Sequence, residues 1–222
     1  MTGMLLKDWY CLWDMLKRTV LLLGVLYPFL AIATNMPYLA LMMPFLLAYY
    51  SLSSIAMDDK CQWFRYARTL PVPVQAQVGA KYLIVVTSSG IGLVWCLVTG
   101  GLHVLIKPHT VDWVGDYLLS GIVCCGTALL VMAVLLPVAF KKSVEKARNW
   151  MIVLWLALFG GFYLLAKLVP TATMARTMQK WLDSIPAGYA AVLGGIGGVI
   201  LVAGALWGSY RASCKIYAGK EL

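Results

Sequence analysis

Charged residues are scarce in this chain: Asp, Glu, Lys and Arg together make up 12% of its 222 residues, and histidine occurs twice. An enzyme embedded in a membrane would need a nucleophile, a base or a metal cluster. His103 and His109 have no obvious partner in the sequence, and Ser88 and Ser89 lack the G-x-S-x-G context of an activated serine. The sequence therefore offers no catalytic residue, no cofactor site and no metal site.

Nucleotide-binding and redox motifs are also missing. The glycine-rich run GGIGG at 194–198 lacks both the Lys-Ser/Thr ending and the preceding strand of a phosphate-binding loop. We interpret it as a surface for close helix packing, within the chain or between subunits. The six cysteines show no CxxC spacing, which indicates reduced packing residues rather than a disulfide framework.

Apolar residues, in contrast, make up 62% of the chain, more than a soluble domain of this length can bury. Six apolar stretches approach the ~20 residues with which a helix crosses a hydrocarbon layer of ~30 Å. They cover residues 19–34, 38–57, 80–106, 117–140, 150–166 and 187–207. The predicted fold class is therefore an all-α polytopic membrane protein with six transmembrane helices.

Basic residues are concentrated in alternate connections between these stretches. Of the 18 Lys and Arg residues, 14 lie on the side of the two termini and four on the other, which predicts that both termini are cytoplasmic. The net charge of +9 thus reflects membrane topology and does not indicate a nucleic-acid partner. With Lys81 assigned to the second connection, the interiors of the stretches contain no charged residue, which disfavours ion-coupled secondary transport.

Two connecting segments have the apolar periodicity of amphipathic helices. The first predicts an elbow helix in the inner interface over residues 1–18, with an apolar face of Leu5, Trp9, Leu12 and Leu16. The second predicts an outer helix over residues 171–186, with an apolar face of Met174, Met178, Trp181 and Ile185.

A third helix is predicted over residues 58–71, on the cytoplasmic side after the second stretch. Asp58 or Asp59 can cap its start, and Pro71 ends it. One interpretation is a solvated flank that merely fixes topology. However, its apolar stripe is larger than a solvated loop needs, which favours burial by a second protein or by the lipid interface. The stripe consists of Trp63, Phe64, Ala67 and Leu70.

Two pieces of sequence carry a family resemblance: RTLPVPVQAQVGAKYL at 68–83 and the opening LLKDWY at 5–10. They resemble permease subunits of the type 2 ABC exporter superfamily, in the short six-span branch that includes exporters of phenol-soluble modulins and related peptides. The resemblance covers essentially the whole chain. After Leu-Pro-Val the family usually has charged residues, where this chain has PVQAQ at 73–77.

The resemblance implies a single transmembrane permease domain over 1–222, in the plasma membrane of a bacterium. The segment 58–71 would be a coupling helix seated on a separate ATPase subunit, which binds ATP and Mg²⁺, and two permeases would assemble with two ATPases. Docking would involve Asp58, Asp59, Lys60, Trp63, Phe64, Arg65, Tyr66, Arg68, Leu70 and Pro71.

The resemblance also implies a cargo path between the first, second and fifth spans. Its candidate residues are uncharged: Tyr27, Tyr49, Tyr50, Ser53, Ser54 and Tyr163. Such a path suits export of an amphipathic peptide across the lipid bilayer. Two alternatives stay open: a permease for a lipid, a drug or haem, and a membrane scaffold or immunity protein that sequesters a peptide without transport.

Overall fold

The computed structural model describes residues 2–67, 69–106, 114–168 and 187–219. All regular structure in these ranges is helical, which confirms the all-α prediction. The helices in these ranges are α1 (Thr2–Ala33), a 3₁₀ helix (Pro37–Leu41), α2 (Met42–Tyr50), α3 (Leu52–Lys60), α4 (Trp63–Ala67), α5 (Val74–Ile106), α6 (Val114–Lys141), α7 (Val144–Leu168) and α8 (Ala187–Ala218).

Three helical runs in the described part of the chain are long and apolar enough to cross a membrane: Pro37–Lys60, Val74–Ile106 and Val114–Lys141. A fourth is added if the two parts of α1, Gly3–Asp14 and Lys17–Ala33, form one broken span. The count of six spans stays a prediction. The outer helix predicted over 171–186 lies outside the described residues.

Helix α1 is bent by 67° between Gly3–Asp14 and Lys17–Ala33. The bend lies near the predicted boundary between the elbow helix and the first span, where charged residues interrupt the apolar sequence. Lys17 Nζ donates a hydrogen bond to Asp14 Oδ1 across it, at 2.7 Å, and this bond lowers the pKa of the exposed Asp14 carboxyl. The location of the first part in the inner interface stays a prediction.

Helix α5 lies at the centre of the fold, where it contacts α1, α2, α6 and α8. The main core is aliphatic and lies among α2, α3, α5 and α6. Leu52, Ile55, Val85, Leu135 and Leu136 are each almost completely buried there. This packing brings the C-terminal ends of α3 and α8 and the N-terminal end of α5 together beside α4.

Gly92 allows α5 to lie directly against α2. A Cβ atom at this position would be 2.5 Å from Pro44 Cα and 2.8 Å from Pro44 N, so the two backbones would have to separate. We expect Gly92→Ala to lower the free energy of unfolding by about 1–3 kcal/mol, the usual cost of overpacking. Thermal unfolding in detergent measures the effect.

Gly90 on the same helix provides the matched control, because a Cβ there meets nothing within 4 Å. Gly90→Ala should leave the midpoint temperature of thermal unfolding unchanged or raise it slightly, since alanine is the better helix former. Equal midpoints for the two variants would contradict this account of the α2 and α5 contact.

Helix α8 is longer than predicted. The tail from residue 209 onward is interpreted from sequence as a basic segment at the inner surface, yet α8 continues to Ala218. Ser213 and Tyr217 lie one turn apart on its buried face. The ring of Tyr217 packs edge-to-face against Phe64 and Phe140, with centroid separations of 5.4 and 6.0 Å. The tail is therefore part of the core beside α4.

Candidate functional site

The segment predicted as one helix over 58–71 is divided in the structure. Asp58 and Asp59 belong to the last turn of α3, and α4 starts three residues after α3 ends. Gln62 between them has a φ of 49°, the left-handed conformation that breaks a helix. The prediction that Asp58 or Asp59 caps the start of this helix is therefore wrong, because the preceding span continues through both.

Four charged side chains form a buried cluster beneath α4: Lys7, Asp8, Asp58 and Lys81, called the charge cluster below. Lys81 Nζ lies 2.8 Å from Asp8 Oδ1 and 2.5 Å from Asp58 Oδ2. Lys7 Nζ lies 3.0 Å from Asp8 Oδ1 and 2.8 Å from Asp58 Oδ1. Each lysine thus bridges both carboxylates, and the four formal charges cancel.

The charge cluster is largely shielded from solvent. The side chains of Lys81, Asp8 and Asp58 are 7%, 3% and 8% exposed, and that of Lys7 is 26% exposed. Lys81 Nζ also donates a 2.6 Å hydrogen bond to Ser54 Oγ. Because Lys81 lies in α5, Asp58 in α3, and Lys7 and Asp8 in α1, the charge cluster joins three helices.

This arrangement corrects the assignment of Lys81 to a connection. Helix α5 begins at Val74, six residues before the predicted start at residue 80, so Lys81 lies inside a helix that counts among the candidate spans. A lysine within an apolar stretch requires an acidic partner. The sequence signal that could have revealed the charge cluster was therefore Lys81 itself, together with the acidic pair in MDDK at 57–60, which ends the preceding apolar stretch.

Lys7 connects the charge cluster to α4. Burial alone would lower the pKa of its ammonium, but the hydrogen bonds to Asp58 and Asp8 and the negative charges of these carboxylates together outweigh burial and raise the pKa above the ordinary 10.5. Lys7 is therefore protonated at neutral pH. Its Nζ also lies 4.0 Å from the centre of the Trp63 ring, a cation–π contact with the first residue of α4.

The apolar side of α4 faces its own chain. Phe64 packs against Tyr217, and Ala67 is completely buried. Gln77 Nε2 donates hydrogen bonds of 3.1 Å to the carbonyls of Ala67 and Val72, while its Oε1 accepts one from Tyr217 Oη. The chain itself thus covers part of the stripe, since Trp63 and Phe64 are half-buried, and burial of the rest by a second protein or by lipid stays a prediction.

The outward side of this segment is polar. Lys60, Arg65 and Tyr66 are exposed, as is Pro71 in the connection to α5, whereas Leu70 is half-buried. Arg68 lies outside the described residues. Of the predicted docking residues in the described part of the chain, Lys60, Arg65, Tyr66 and Pro71 are thus accessible, whereas Trp63, Phe64 and Leu70 are half-buried.

The predicted cargo-path residues have diverse surroundings. Ser53 and Ser54 are buried, and Ser54 is occupied as a partner of Lys81. Tyr27, Tyr49 and Tyr50 are half-buried, and Tyr163 on α7 is exposed. The Arg148 guanidinium lies 6.0 Å from the centre of the Tyr49 ring.

Comparison with known proteins gives one result for the whole chain. The family model described as ABC-2 family transporter protein matches residues 3–218, which include all four residues of the charge cluster. No curated protein and no solved structure matches the chain. The chain therefore belongs to the ABC-2 transporter family and is the membrane-embedded permease subunit of an ABC transporter.

Proposed function

We propose that this permease couples ATP hydrolysis on a separate ABC ATPase to the export of amphipathic peptides, with α4 as its docking segment. The observation that carries the proposal is the way α4 is attached to the rest of the chain. Trp63 contacts Lys7 of α1, Phe64 contacts Tyr217 of α8, and the Ala67 carbonyl contacts Gln77 of α5. A force applied to α4 would therefore reach three helices.

In the proposed cycle, ATP and Mg²⁺ bind to two ATPase subunits, whose closure displaces α4 in each of two permease subunits. The exposed Lys60 and Arg65 pair with acidic groups of the ATPase, and Tyr66 adds contact area. Arg68 is expected to join this cationic set. The charge cluster then carries the displacement to α1, α3 and α5, which changes access to the cargo path.

The proposed orientation places α4 and both termini in the cytoplasm of a bacterium. It is supported by the 14 of 18 Lys and Arg residues on that side of the predicted topology. The amphipathic peptide cargo is supported by the uncharged tyrosines and serines of the candidate path and by the resemblance to peptide exporters. Polar and apolar side chains of an amphipathic peptide can both find partners along such a path.

The ATPase partner can be tested by gentle purification of the protein from its native membrane, followed by mass spectrometry of whatever stays bound. We expect a stoichiometric soluble subunit that carries GxxxxGK[S/T]. A chain that purifies alone, remains stable and binds peptide would contradict the proposal and favour a sequestering membrane protein.

The cargo can be tested with the purified complex in vesicles. A labelled amphipathic helical peptide should cross the bilayer when ATP is present on the side of α4, and it should not cross with a non-hydrolysable ATP analogue. Peptide transport that persists without ATP hydrolysis would contradict the proposal. ATP hydrolysis that the peptide does not stimulate would also count against the peptide as the cargo.

A further inference from the structure

An apolar groove lies beside the bend of α1. It consists of two adjoining cavities of about 110 and 210 Å³. Both are lined by Trp13, Val20, Leu47, Tyr50 and Ile91, which define the bend groove. Since an apolar protein cavity of about 150 Å³ can hold benzene, the bend groove has room for part of a hydrocarbon chain.

The two ends of the bend groove differ in polarity. The smaller cavity reaches Trp9 and Lys17 near the bend, and Lys17 is the one charged side chain among its described lining residues. The larger cavity reaches Gly24 and Trp95, with no charged side chain among its described lining residues. Seven residues separate Lys17 from Gly24, a rise of about 10 Å along a helix. The bend groove thus runs from a cationic mouth into apolar surroundings.

The mouth can accept an anion. The Lys17 ammonium has three hydrogen-bond donors and uses one for Asp14, in a pair whose side chains are 44% and 83% exposed. An ion pair this exposed adds little stability and leaves the ammonium accessible. Arg18, the next residue in α1, is also exposed and adds a second positive charge close to the mouth of the groove. Trp9 and Trp13 are the ring type favoured beside lipid headgroups.

The apolar end is closed by a hydrogen bond from Trp95 Nε1 to the Gly24 carbonyl, at 3.0 Å. Leu21 and Val25 line the larger cavity and are 60% and 70% exposed, so its side is open to the surroundings of α1. An extended peptide inserted there would bury backbone N–H and C=O groups without partners, whereas a hydrocarbon chain has no such groups.

We propose that the bend groove binds one acyl chain of an anionic phospholipid from the inner leaflet, with the phosphate at Lys17. The lipid would fill the angle between the two parts of α1 and support the bend. The bend groove shares Tyr50 with the candidate cargo path, but phospholipid binding is measured without ATPase or peptide, so its test is separate from that of the proposed function.

The test is native mass spectrometry of the purified protein after titration with phosphatidylglycerol. Val20 lines both cavities, so Val20→Trp should obstruct the bend groove and weaken phosphatidylglycerol binding about tenfold or more, equivalent to at least ~1.4 kcal/mol. Leu22→Trp is the matched control, because Leu22 is exposed on the same helix and lines neither cavity. If Val20→Trp does not purify as a monodisperse protein, Val20→Phe replaces it.

A second pair of variants tests the contact between Lys17 and the lipid headgroup. Lys17→Gln should lower the affinity for phosphatidylglycerol and leave that for phosphatidylcholine unchanged, whereas Lys142→Gln, another exposed inner-surface lysine, should alter neither. The proposal is overturned if Val20→Trp binds phosphatidylglycerol like the parent protein or if Leu22→Trp loses it equally. It is also overturned if Val20→Trp loses binding of an amphipathic peptide but still binds phosphatidylglycerol.

Discussion

Replacing Lys81 with methionine is expected to lower the free energy of unfolding by about 3–5 kcal/mol, the usual cost of leaving a buried charge without its partner. Lys81 contacts both Asp8 and Asp58, and the side chains of all three are nearly inaccessible to solvent. Its removal leaves two buried carboxylates to share the one ammonium of Lys7. Methionine retains most of the side-chain volume, so a cavity contributes little to the effect.

Thermal unfolding in detergent, followed as the loss of monodisperse protein, measures this change. Lys142→Met removes an exposed lysine and should shift the midpoint little. The double variant Lys81→Met with Asp58→Asn should be more stable than Lys81→Met alone, because it restores one positive and one negative charge. If the double variant were the less stable of the two, the loss would not arise from unpaired charge.

Reversing the charge of Lys60 and Arg65 together is expected to abolish peptide-stimulated ATP hydrolysis while the permease still folds. Lys60 at the end of α3 and Arg65 in α4 are both exposed, so their replacement with glutamate disturbs little inside the chain. If they pair with acidic groups that become desolvated on docking, the loss is at least ~2 kcal/mol, or about 30-fold in affinity for the ATPase. Pull-down of the ATPase and its stimulated hydrolysis rate are the two measurements.

The matched control is reversal of Lys141 and Lys146, which are exposed in another predicted inner connection. It changes the net charge by the same amount and should leave coupling intact. A change from acid to lysine in the ATPase groove should restore binding of the Lys60 and Arg65 variant. Normal coupling in that variant, or equal loss in the control, would remove α4 from its proposed docking role.

Helix content was predictable because it depends on local sequence. Apolar runs such as 117–140 indicate helices directly, and the structure places α6 at Val114–Lys141. The bend near Asp14 and Lys17 likewise lies where apolar periodicity gives way to charge. The matching family model agrees with the permease assignment that the resemblance suggested.

The charge cluster was not predictable in the same way, because its members are distant in sequence. Lys7 and Asp58 are 51 residues apart, and their contact depends on how α1 packs against α3. The inward orientation of Phe64 depends similarly on Tyr217, which lies in a tail that the sequence presents as polar. Long-range partners decide which charged residues are buried, and hydropathy averaged over a window does not contain that information.

The charge cluster has no net formal charge, which determines how its movement responds to the membrane potential. Moving one elementary charge across 100 mV involves about 2.3 kcal/mol of electrical work. Two ammonium and two carboxylate groups that move as a unit carry no net charge, so their displacement involves almost no such work. If the proposed movement of α4 passes through Lys7, Asp8, Asp58 and Lys81, that step is therefore expected to be independent of voltage.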